Sequence, residues 1–206
     1  MSDSYTLSAG QARVCRVSGW LFVLAAAAQA VGGVLAAAVP GASWHCGGDG
    51  CHTLSRPAIL LPSEFVATVA SGAPHAAFDT YVGRADVRLA VAALELVRAL
   101  PLAAVLLMVG IALGRLAARR GDDLARALRW LKRAAGAAVI GVLAEPAAAS
   151  LMAMLLLPGT PAGAYWYLDV DVLGALRGLL LALAAFAAAW ALEAGSRSAR
   201  DMAEIV

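Results

Sequence analysis

The residues best suited to chemistry stand in one short run, WHCGGDGCHTL, residues 44–54. Cys46 and Cys51 are separated by four residues, and His45 and His52 flank them. Two thiolates and two imidazoles are the donor types of a tetrahedral zinc site, so these four residues could ligate zinc or another transition metal. The same thiols could serve as a redox centre, or close into a disulfide over a turn that Gly47, Gly48 and Gly50 permit. Compartment decides between these fates, because paired cysteines persist as disulfides only where the surroundings are oxidising. The elements that carry the loop must therefore be placed first.

Of 206 residues, 62% are hydrophobic and 15% charged, well above the apolar share of an ordinary soluble chain. Four tracts hold the excess, approximately residues 18–39, 89–114, 134–157 and 172–192. Each has the length, about 20 residues, that a helix needs to cross a hydrocarbon core. A soluble bundle would keep a polar stripe along each helix, and these tracts have almost none. The predicted fold class is all-α: an integral membrane four-helix bundle, one four-span domain over residues 1–206, with a long external first loop at 40–86. The first tract also has features of a signal peptide, but its length and the three spans behind it favour an uncleaved helix.

Lys and Arg near span ends mark the cytoplasmic side. Arg115, Arg119, Arg120, Arg126, Arg129, Lys132 and Arg133 surround the second connection, while the third, PGTPAGAYWYLDVD, has no basic residue. The second connection is thereby predicted inside, with both termini cytoplasmic beside Arg13, Arg16, Arg197 and Arg200. The Cys/His run then lies outside, where a Cys46–Cys51 disulfide is the favoured reading and Cys15 is segregated from it. With that topology the net charge of +2 concerns membrane orientation rather than nucleic acid.

Inside the loop, LPSEFVATVASG predicts a short helix starting at Pro62 or Ser63 and stopping at Gly72, with Phe65, Val66 and Val69 at the membrane surface. Asp122 and Asp123 suit the first turn of a basic interfacial helix that turns into the third span. Tyr165, Trp166 and Tyr167 have the composition of an interfacial aromatic belt. Small residues in GWLFVLAAAAQAVGG and GALRGLLLALAAFAAA predict close helix contacts, and Pro101 and Pro146 predict kinks.

Four charges fall within the spans: Glu95, Arg98, Glu145 and Arg177. Each needs a partner, a water cavity or the protein interior, because charge in hydrocarbon is costly. At a rise of 1.5 Å per residue, Glu95 and Arg98 sit roughly 10 and 15 Å from the outer end, Glu145 about 18 Å and Arg177 about 8 Å. Matched depths predict cross-helix pairs Arg98–Glu145 and Glu95–Arg177, and Glu95 can also pair locally with Arg98 three residues on.

No phosphate loop, metalloprotease His pair or nucleophile elbow is present. Ser63, His75 and Asp79 supply triad residue types only, so no catalytic or cofactor-binding residue is assigned. GDDLARALRWLKRAAG before the third span and WALEAGSRSARDMAEIV after the fourth resemble the bacterial four-span membrane proteins of the domain of unknown function 2975 family, over residues 85–206. That resemblance implies a multi-pass protein of a bacterial inner membrane without established catalysis. The leading expectation is a non-enzymatic protein that assembles, stabilises or regulates a membrane complex. Its partners would be the lipid bilayer and a membrane protein or second copy. The competing expectations are a small transporter or ion-conducting subunit using the intramembrane charges, and a redox or metal-binding protein using the external loop.

Overall fold

The computed structural model describes residues 8–47, 50–117, 123–168 and 170–205. The order of elements is α1 (Ala9–Ala38), β1 (Ala42–Gly47), β2 (Gly50–Ser55), α2 (Ser63–Val66), α3 (Gly72–Val82), α4 (Ala85–Leu116), α5 (Asp123–Leu156) and α6 (Val172–Ile205), with single turns of tighter helix at Pro57–Leu60, Ala67–Val69 and Leu157–Gly159. The protein is an all-helical, multi-pass membrane protein. Four helices, α1, α4, α5 and α6, are long and apolar enough to span a bilayer, and an extended non-membrane segment separates the first two. One small two-stranded ribbon interrupts the helical architecture.

Ser8 and Gln11 start α1 with a reciprocal capping box. The Ser8 amide donates to Gln11 Oε1 at 3.0 Å, and the Gln11 amide donates to Ser8 Oγ at 3.3 Å. The helix stops before Pro40, and Gly41 turns the chain at a φ of 67°. A Cβ on Gly41 would stand 2.2 Å from the Arg56 carbonyl oxygen, so only glycine fits this approach.

The basic segment and the third span form one continuous helix, α5, rather than two joined by a turn. Alanine and leucine dominate the junction, Gly136 is tolerated within a long helix, and no proline occurs before Pro146. Ala127, Leu128, Ala134 and Ala135 keep one side of this first stretch buried. Arg119, Arg120 and Asp122 lie outside the described residues.

The chain forms two compact units, whose boundaries fall within the long helices. Residues 1–29, 101–142 and 173–206 make the first unit. Its helices approach at glycines. A Cβ on Gly110 would lie 2.9 Å from the Gly19 carbonyl oxygen, and one on Gly178 would lie 2.7 Å from Val142 Cγ2. These are the small-residue contacts predicted for the first and last spans.

The second unit, residues 30–100 and 143–172, holds a continuous apolar core. Val69, Phe78, Val82, Val91, Met152 and Leu156 form its centre, with Phe65, Val66 and Tyr81 packed against it. The predicted helix at Ser63 is present and passes into a tighter turn before Gly72. Gly72, at a φ of 73°, then opens α3 instead of ending the helical run. Val69 is completely buried in the core, which corrects its predicted place at the membrane surface. Tyr81 closes the same unit by donating its hydroxyl to the Leu155 carbonyl at 2.9 Å.

Outward surfaces of the spans are apolar. In the most apolar windows of α1 and α6 only 11% of residues are buried within the protein, leaving the remainder for lipid.

Candidate functional site

Strand pairing positions the Cys/His run. The register sets Cys46 opposite Cys51 and His45 opposite His52, and residues 48–49, between the two strands, lie outside the described residues. The Arg56 amide donates to the Gly41 carbonyl at 3.1 Å, which fixes the alternation of the ladder. Counting inward from that bond, residues 46 and 51 occupy a non-hydrogen-bonded pair. Such pairs hold Cα atoms about 4.5 Å apart. Residues 45 and 52 belong to the opposite face of the ribbon, because successive strand positions alternate.

The intramembrane charges take a different arrangement from one based on depth. Arg98 lies beside Glu95 along α4, with Nη1 to Oε1 at 3.6 Å. This separation is an ion pair too long for a hydrogen bond, and Glu95 Oε1 is buried without a hydrogen-bond partner. Glu145 forms no ion pair with Arg98; its side chain is exposed. Helical spacing puts Glu145 on the stripe of α5 that carries Met152 and Leu156, two core residues of the second unit. That stripe is covered at Met152 and Leu156 and uncovered at Glu145. Arg177 is exposed near the start of α6, within reach of the interface for a long side chain.

Two polar contacts lie outside the intramembrane charge set. Lys132 and Glu193 form an ion pair within the first unit, each side chain about one-third exposed. His75 Nδ1 stands 3.0 Å from Asp79 Oδ2, four residues along α3, with both side chains about half exposed. That pair borders a pocket of about 490 Å³ lined also by Ser55, Arg56, Ile59, Val66 and Val69. Ser63 is not part of this lining, and Ser55 Oγ already donates to the Pro40 carbonyl at 2.9 Å. The pocket therefore joins an apolar wall to a few polar groups without an assembled triad.

The aromatic triplet divides its work. Trp166 is 85% exposed, whereas the Tyr165 and Tyr167 rings lie 6.3 and 6.0 Å from Phe65. Those distances suit tilted and edge-on aromatic packing, so the tyrosines attach the connection after α5 to α2.

Among the described residues, no three His, Cys, Asp or Glu side chains converge as a metal-holding group. The fold defines a multi-pass membrane protein with a packed loop segment, and among the described residues Ser63, His75 and Asp79 do not assemble as a triad. No family model, curated protein or solved structure matches the chain.

Proposed function

We propose that the chain is a non-enzymatic subunit that assembles, stabilises or regulates a membrane complex. The carrying observation is Glu145, exposed on an otherwise core-forming stripe of a spanning helix. By helical rise it lies about 18 Å from the outer end of α5, too deep for a short carboxylate to reach either interface. Its charge needs a donor from a membrane-protein partner or a second copy. The basic second connection and the termini are cytoplasmic in this reading, in a bacterial inner membrane, with the cysteine ribbon outside. There Cys46 and Cys51 form a disulfide, since their register brings the Cα atoms within the span of about 4.4–6.8 Å that a disulfide bridges. Alternation favours this staple over a single four-ligand metal site, because the cysteines and histidines belong to opposite faces.

Crosslinking and mass spectrometry on native membranes, comparing wild type, Glu145→Gln and Glu145→Ala, test the assembly reading. Gln keeps hydrogen-bonding capacity and retains the complex; Ala lowers its yield or the protein's abundance. Wild-type abundance and assembly in both variants would remove the basis for the proposal. Ion movement by the purified protein alone in reconstituted vesicles would replace it with the transport reading.

A further inference from the structure

Arg126, Arg129, Trp130 and Arg133 recur at three- and four-residue spacing and share one face of α5. Arg115 enters from the last turn of α4, and the five residues line a pocket of about 190 Å³ in the first unit. The buried side of this stretch, at Ala127, Leu128, Ala134 and Ala135, faces away from the arginines. No carboxylate is among the described lining residues. Lys132, between them in sequence, has Glu193 as its counter-charge, and Arg126 is engaged within the chain, which leaves Arg115, Arg129 and Arg133 as the guanidinium groups available to the pocket.

We propose that this pocket binds the phosphate group of an anionic lipid. Gathering like charges on one helix face is unfavourable unless an anion neutralises them. Guanidinium forks match phosphate oxygens in a bidentate geometry that an ammonium lacks. The Arg133 guanidinium rests 4.9 Å from the centre of the Trp130 ring, a cation–π contact that holds it in place and leaves its edge for an anion. Trp130 also supplies the amphipathic ring favoured at the headgroup layer. At 34 residues α5 extends well beyond what a hydrocarbon core requires, and the arginines occupy its first turns, at the interface end. A lipid is the fitting source because the lining comes from the basic ends of two helices long and apolar enough to span a bilayer, α4 and α5.

The full chain in phosphatidylcholine nanodiscs doped with phosphatidylglycerol or cardiolipin provides the test, with retained lipid read by native mass spectrometry. Wild type retains the anionic lipids selectively. Arg129→Ala with Arg133→Ala lowers their apparent affinity about tenfold or more, given the strength of charge-assisted hydrogen bonds. Arg129→Lys with Arg133→Lys gives an intermediate value, since charge remains but the fork is lost; this pair carries the test if the alanine variant fails to fold. Arg13→Ala with Arg16→Ala removes equal charge outside the pocket and leaves retention near wild type. Equal losses in the two alanine variants, or equal retention of phosphatidylcholine, would overturn the site. Inorganic phosphate at millimolar concentration fails to displace the lipid if the lipid is the true source; displacement would assign the pocket to soluble phosphate and overturn the lipid proposal.

Discussion

Lys132 on α5 is paired with Glu193 on α6, across 61 positions of sequence. The contact joins the basic stretch of one spanning helix to the polar exit of another. Each side chain is about 30% exposed, so water screens the pair only in part. Glu193→Ala should cost about 1–3 kcal/mol by leaving the Lys132 charge uncompensated, and Lys132→Ala less, because Glu193 keeps a further interaction within the chain. The double alanine variant should lose less than the sum, and the exchanged pair Lys132→Glu with Glu193→Lys should recover stability. Thermal unfolding in one detergent measures all four; strictly additive losses would show that the two charges are not coupled.

Gly110 and Gly19 allow the α1 and α4 backbones to meet. Gly110→Ala places a methyl 2.9 Å from the Gly19 carbonyl oxygen, and overpacking of this kind costs about 1–3 kcal/mol. Gly114→Ala, on the same helix, meets nothing within 4 Å. It should be neutral or stabilising by up to about 1 kcal/mol through helix propensity. Comparing the two melting temperatures isolates the contact from the general effect of removing glycine. Similar shifts in both variants would contradict close approach at Gly110.

The ribbon register predicts a mass lower by two hydrogens for the Cys46–Cys51 peptide under non-reducing conditions, with Cys15 remaining alkylatable. Cys46→Ser and Cys51→Ser should each free the other thiol and increase proteolysis within residues 42–55. The closed loop is short, so loss of the bridge should cost about 2–3 kcal/mol of local order. Alkylation of Cys46 and Cys51 as well as Cys15 in the non-reduced wild-type protein, with bound metal, would instead support ligation.

The spanning helices were legible because length and unbroken apolarity are themselves the physical requirement for crossing a membrane. The short helix at Ser63 was legible from its proline entry. The ribbon was hidden by GGDG, which marks a turn but gives little sign of the strands beside it. Gly72 was read as a stop because glycine ends helices; it also permits the positive φ from which α3 begins. Charge pairing was the hardest part to read. Depth follows from counting residues, whereas azimuth depends on how helices pack. Arg98 meets Glu95 on its own helix, the local pair that three-residue spacing allows, in place of the cross-helix partner chosen by depth, and Lys132 meets a glutamate whose position gave no local signal.

The shallow burial of α1 and α6 has an evolutionary consequence. On their outward faces one apolar side chain serves much as another, so Ala, Leu and Val can interchange freely across descent. Positions such as Gly19, Gly110, Gly178 and the Lys132–Glu193 pair have far fewer substitutes. Kinship with other membrane proteins would thus survive longest as a sparse pattern of contact points, after the long apolar stretches between them had drifted past recognition.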